Sequence, residues 1–250
     1  MTDNVKQSFM APLSDGIDIL CGNDEEINRI VSRRKNEILP HLERYIKEIE
    51  LFNPALKLVG TNDTSELIIK HILDSIAPAG ILSGLLNRQN SLNAFESSAQ
   101  PRENQIADIG SGAGLPGIPL AIIMPDNKFT LVERMERRAG FLLNTKAVLK
   151  LSNITIEEKE AEKINNADGF DLITFRASLR LDPKLFKTLL KKCAPNGIIA
   201  AYKGKLEKTK AEMTSLINTV SAEKIEFEII PYTVPFLNEE RCLLVIKNIP

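Results

Sequence analysis

Tryptophan is absent from this chain, aromatic residues make up only 5% of it, and its 250 residues include two histidines and three cysteines. Cys21, Cys193 and Cys242 lie far apart with no CxxC pair, which excludes a recognisable zinc cluster and leaves no metal site to expect. Scattered, unpaired cysteines suit a reducing compartment, so the expected location is the cytoplasm. Excess charge is lacking too: 32 basic residues against 33 acidic ones give a net charge of −1 and a pI near 6.2. That excludes a uniformly basic coat, so any nucleic-acid partner must be met by a local patch. The opening MTDNVKQSFMAPLSDG has no basic segment leading into an apolar run, and no later stretch reads as the roughly 18 apolar residues of a membrane span. What is present, 43% hydrophobic residues, suffices for one sizeable core.

Residues 1–22 are polar and aperiodic and read as a loosely ordered tail. Residues 23–82 read as a small helical module. Ile27, Ile30, Val31, Ile38, Leu42, Tyr45, Ile46 and Ile49 recur at helical spacing, Pro40 is expected to kink or divide the run, and Asp63 with Glu66 forms a second helix start. Residues 83–104, rich in Asn, Ser and Gln, read as a linker or surface insertion. From 105 to 250 strand-like runs (QIADIG, KFTLVE, NITIEE, FDLITFR, GIIAAYK, KIEFEIIPY, RCLLVIK) alternate with helical ones. Alternation of that kind predicts an α/β doubly wound, mostly parallel sheet of seven strands. The connection PYTVPFLNEE is too short and proline-rich for a crossover helix, so the last two strands should pair as an antiparallel hairpin.

The segment from Asp108 to Pro119, DIGSGAGLPGIP, closes the first core strand and opens a helix. Gly110, Gly112 and Gly114 let the backbone turn sharply and approach a ligand, although a tight turn without a ligand would use the same residues. Gly112, Gly114 and Gly117 also satisfy the dinucleotide pattern GxGxxG, a weak match alone. Pro116 and Pro119 remove donors that a pyrophosphate would need, and Asp108 would repel one, so a ligand without phosphate fits better. S-adenosylmethionine answers that description: its ammonium would lie beside Asp108, and its ribose hydroxyls would meet Glu133, which otherwise reads as a solvated strand-end charge.

The stretches HILDS (His71 to Ser75), DIGSGAGLPGIPLAI (Asp108 to Ile122), ERMERRAGFL (Glu133 to Leu142), FRA (Phe175 to Ala177), YKGK (Tyr202 to Lys205) and RCLLVIK (Arg241 to Lys247), taken in this order, resemble the RsmG family, also called GidB. These are bacterial methyltransferases acting on guanine N7 of 16S ribosomal RNA. The resemblance implies a Rossmann-like class I methyltransferase fold, S-adenosylmethionine as cofactor with S-adenosylhomocysteine as product, and a target in the 530-loop region. Carried over by position, it implies cofactor contacts at Gly110, Leu115, Ala161, Glu162 and Arg176. Lys57-Leu58-Val59 replaces an expected Asn-Leu-Thr, Phe175 replaces a serine, and the segment after Arg176 departs from the family pattern, all on the substrate side.

Guanine N7 carries an in-plane lone pair, so its methylation requires no prior deprotonation, and no general base is assigned. His71, Asp74 and Lys203 are candidates for shaping the pocket, the first two sharing a helix face at a spacing of three. Arg134, Arg137, Arg138, Lys203, Lys205 and Arg241 are candidates for contact with RNA phosphates, although a run of charges is more often a solvated face. The expected partner is 16S rRNA or the small ribosomal subunit, met by a monomer without a membrane. A methyltransferase for another substrate, a dinucleotide-dependent oxidoreductase and a non-catalytic rRNA assembly factor remain as alternatives.

Overall fold

The computed structural model describes residues 3–96, 103–176, 181–220 and 225–248. Its strands are β1 Gln105–Ile109, β2 Lys128–Val132, β3 Ile154–Glu157, β4 Phe170–Phe175, β5 Cys193–Lys203, β6 Glu226–Tyr232 and β7 Arg241–Lys247. They form one sheet in the order β3-β2-β1-β4-β5-β7-β6. The pairs among β1 to β5 are parallel, while β7 runs antiparallel between β5 and β6. This is the α/β, Rossmann-like class I methyltransferase arrangement, with its antiparallel terminal hairpin. Winding reverses between β1 and β4, so a crevice opens outside the carboxyl ends of those strands.

Helices α7 Gly117–Ile123 and α8 Glu136–Leu149 follow β1 and β2, and α9 Pro183–Lys192 and α10 Leu206–Val220 flank β5 in sequence. Because side chains alternate along a strand, each strand feeds both faces. Ile106, Leu131, Leu172, Ile198 and Val245 join one buried cluster, and Ala107, Val132, Ile173, Ile199 and Ile246 join the other.

The N-terminal part contains α1 Asp3–Asn23, α2 Glu25–Val31, α3 Lys35–Leu56, α4 Thr64–Leu67, α5 Asp74–Ile76 and α6 Ala79–Glu96, with a π-helical turn over Ile68–Leu73. Its buried residues share the first of those clusters with the sheet, so the module and the sheet face have one core. The structure differs from the sequence reading in four places. The expected tail is helical, with Leu13, Ile17 and Leu20 buried one below another. The expected linker is mostly α6, where Leu82 and Leu86 are buried; residues 97–102 of that segment lie outside the described residues. Division of the long helix falls at a 3-10 turn over Ser32–Arg34, ahead of Pro40, which sits inside α3. Finally, the helical run Thr64–Ser91 is by length and composition apolar enough to cross a membrane, and 72% of its apolar window is buried inside the protein, the pattern of a core helix.

Candidate active site

The loop after β1 is held by its own backbone and by two acids. Gly110 and Ser111 donate their N–H groups to the Val132 carbonyl, which ties the loop to the end of β2. Gly112 and Gly114 have φ values of 57° and 89°, which an L side chain rarely adopts, and Leu115-Pro116 is a cis peptide. Added side-chain atoms at Gly112 would meet only the Gly110 carbonyl within 4 Å, so the loop offers open space there.

Asp108 is fully buried at the end of β1. Its Oδ2 accepts the Gly117 N–H at 3.1 Å, while Oδ1 has no partner among the described residues. Burial raises its pKa from the usual carboxylate range to about 7. A cation brought to Oδ1 would remove that penalty. Glu133, 5% exposed at the end of β2, accepts from Gly112 N at 3.0 Å and from Met135 N at 2.8 Å. Those bonds fix both oxygens and leave each with acceptor capacity toward the crevice.

Outside the loop lies a cavity of about 490 Å³ lined by residues that include Gly110, Glu133, Arg134, Met135, Arg138, Ala161 and Glu162. Ala161 and Glu162 belong to a 3-10 turn after β3, and Lys184 closes on Glu162 at 2.9 Å. Four cofactor candidates from the sequence, Gly110, Glu133, Ala161 and Glu162, thus come together. Asp108, Gly112 and Gly114 form the loop behind them. Leu115 does not line the cavity; it is 7% exposed and packs in the core. The unoccupied oxygen of Asp108, the open backbone at Gly112 and the acceptors of Glu133 fit a ligand with a cationic amine and hydroxyls.

A second constellation stands where the helical module meets the sheet. Asp74, 3% exposed, accepts from Arg176 Nη2 at 2.8 Å through Oδ2. Its Oδ1 accepts from the Tyr232 hydroxyl at 3.0 Å and pairs with Arg241 Nε at 3.3 Å. Arg176 also donates to the carbonyls of Lys70 and His71 at 3.0 and 3.3 Å, and Tyr202 donates to the Ser75 carbonyl at 2.9 Å. His71 and Asp74 lie in and just after the π-helical turn; the Asp74 N–H donates to the His71 carbonyl, while their side chains do not bond to each other. The His71 ring makes no hydrogen bond to a described residue, and burial, aided by Arg176, lowers its pKa to about 4. It is therefore neutral at physiological pH.

Two of the expected phosphate contacts need correction on geometry. Lys203 is 7% exposed and bonds both carboxylate oxygens of Glu212 at 2.8 and 2.9 Å, so it is not a free cation. The Arg241 side chain, 16% exposed, is held by Asp74 and Glu239. Arg138, half-buried, reaches the Lys57 carbonyl at 3.3 Å and lines the cavity beside the glycine loop. Arg134, Arg137 and Lys205 are exposed. Tyr232 and the Arg241–Asp74 pair escaped the sequence reading because the spacing from Asp74 is too long for any local pattern. Tyr45 could have been found: a tyrosine on the apolar stripe of α3 must have an acceptor inside.

Comparison with known proteins accords with this geometry. A sequence model described as rRNA small subunit methyltransferase G (GidB) matches residues 38–241. The ribosomal RNA small subunit methyltransferase G of Treponema denticola is 37% identical over 233 residues, covering 88% of this chain and 90% of that protein. Its counterpart in Salmonella arizonae is 33% identical over 229 residues, covering 90% and 94%. Among solved structures, the N-methyltransferase NodS from Bradyrhizobium japonicum in complex with S-adenosyl-l-homocysteine aligns at a TM-score of 0.47 and 16% identity, covering 80% of this chain and 98% of that one. The glycine loop, the cavity beside it and all four members of the Asp74 constellation lie inside the stretch matched by the family model, and on that ground the chain belongs to the rRNA small subunit methyltransferase G family.

Proposed function

We propose that this chain transfers the methyl group of S-adenosylmethionine to N7 of one guanosine of 16S ribosomal RNA, in the 530-loop region, acting as a monomer and without a metal. Methylation of small-subunit rRNA follows from the family. The observation that carries the cofactor reading is the buried Asp108 carboxyl, with one unpartnered oxygen at the foot of the glycine loop. A scaffold without a ligand would gain nothing from that orphaned oxygen, since an unsatisfied buried acceptor costs about 1–3 kcal/mol.

When bound, S-adenosylmethionine supplies an electrophilic methyl group on a sulfonium centre. In our reading Asp108 accepts from the ammonium, Glu133 accepts from the ribose hydroxyls, and Ala161 and Glu162 border the adenine. Guanine N7 attacks with a lone pair it already has, so no residue must take a proton first. The chain's task is alignment, which in favourable intramolecular cases lowers a barrier by about 7–11 kcal/mol. Positive charge moves from sulfonium to purine during transfer, which favours acceptors over further cations near the base.

The test is transfer of tritiated methyl groups to naked 16S rRNA, assembled small subunits and tRNA, followed by digestion to locate the label. Label on a single guanine N7 in small-subunit RNA is expected. Label on tRNA alone, or on a ring position other than N7, would overturn the assignment.

A further inference from the structure

We propose that Tyr45 is a positioning residue for the cofactor, so that the helical module, and not the sheet domain alone, sets cofactor affinity. The proposal rests on reading the glycine loop as the S-adenosylmethionine cradle.

Tyr45 is fully buried on α3, and its hydroxyl donates to the Ala113 carbonyl at 2.7 Å. Ala113 stands between Gly112 and Gly114, which like Gly110 have positive φ, a region that glycine adopts without steric cost. Gly114 and Leu115 both close back on the Ser111 carbonyl, and the Ala113 carbonyl, in a residue 3% exposed, takes its hydrogen bond from Tyr45. Glu133 grips the same turn from the other side through Gly112 N. The loop is thus clamped between an acid of the sheet and a phenol of the module.

Further contacts of α3 support the same coupling. Phe52 meets Phe141 of α8 edge-on at 5.6 Å, and the Lys57 carbonyl that follows α3 accepts from Arg138, a residue of the cavity wall. A ring alone would fill the core at position 45; the hydroxyl is what reaches the loop. Without it the loop samples conformations that the ligand must select against, and affinity falls by the populated fraction of the binding-competent state.

The experiment is calorimetry of the full chain with S-adenosylhomocysteine for wild type, Tyr45→Phe and Ile46→Val. Ile46 is a fully buried neighbour on α3, and its change lowers stability while leaving the hydroxyl in place. Tyr45→Phe is expected to weaken binding about tenfold, a factor equal to about 1.4 kcal/mol. KM for S-adenosylmethionine should rise with it, while kcat at saturation stays near wild type. Ile46→Val is expected to keep wild-type affinity. Affinity of Tyr45→Phe within twofold of wild type, or equal weakening in Ile46→Val, would overturn the proposal. A wild-type chain that does not bind at all would overturn the reading of the loop itself, and the proposal with it.

Discussion

At the scale of single residues, Asp108 decides how the candidate site responds to pH. Burial raises its pKa from 3.8 to about 7, so near neutrality the free protein holds its proton part of the time. An ammonium at Oδ1 favours the carboxylate, so ligand binding expels that proton. S-adenosylhomocysteine affinity should therefore rise as pH goes from about 6 to 8 and then level. Calorimetry at pH 6 in two buffers of different ionisation enthalpy should register proton release. Asp108→Asn should abolish the pH dependence and weaken binding by about 1.5–3 kcal/mol, the range for hydrogen bonds to charged groups; a pH-independent wild-type affinity would contradict the role.

For folding, the raised Asp108 pKa means that the native state binds the extra proton between about pH 4 and 7, so its contribution is greatest below that window and is lost as pH rises through it. His71 acts in the opposite sense. Its pKa falls from 6.5 to about 4, so its contribution is present above 6.5 and is lost as pH falls through 4. His71→Asn should therefore gain thermal stability, relative to wild type, on acidification from pH 6.5 to 4.5, as melting curves would register. The acid before the first glycine was legible in the sequence. Its raised proton affinity was not, because burial at this position comes from elements far away in sequence.

Among the elements, the π-helical turn and α5 bring Asp74 against β4, β6 and β7, joining Arg176, Tyr232 and Arg241 to the module. Asp74→Ala takes the carboxylate from Arg176 and leaves Arg241 with Glu239 alone. Removing one partner of a buried ion pair costs about 3–5 kcal/mol. The two arginines are 20% and 16% exposed, so water recovers part of this and a loss of about 2–4 kcal/mol is expected in urea unfolding. Lys203→Met should cost under about 1 kcal/mol, since Glu212 is 27% exposed and can return to water.

Helices with a full apolar stripe, such as α3 with Ile38, Leu42, Tyr45, Ile46 and Ile49, were legible from spacing. So were the strands, from their β-branched runs. Helix α1 was not, because Leu13, Ile17 and Leu20 make a thin stripe among Ser14, Asp15, Gly16 and Asp18, poor helix formers that tertiary packing overrides. In α6 the polar residues Asn87, Arg88 and Asn90 concealed Leu82, Leu86 and the buried Gln89.

Across the whole molecule, alternating elements and a short last connection were enough to specify the sheet, since handedness and loop length leave few other topologies. The partnering of charged groups was not legible, because Asp74 and its arginines are separated by more than a hundred residues. The same holds for the basic patch. The near-zero net charge already required it to be local, and geometry narrows it by placing Lys203 and Arg241 in ion pairs while leaving Arg137 and Lys205 exposed. If those two neutralise phosphates, Arg137→Ala with Lys205→Ala should raise KM for RNA and lower the salt dependence of binding by about 0.7–0.9 in slope per residue. Lys203→Met should leave that slope unchanged, as RNA-binding titrations over a salt series would show.

The account as a whole rests on one guanosine receiving one methyl group at N7. Mass mapping of 16S rRNA from cells lacking this gene, and from the same cells given it back, addresses that directly. The 7-methylguanosine mark in the 530-loop region should vanish in the first and return in the second. Full occupancy of the mark without the gene would contradict the account.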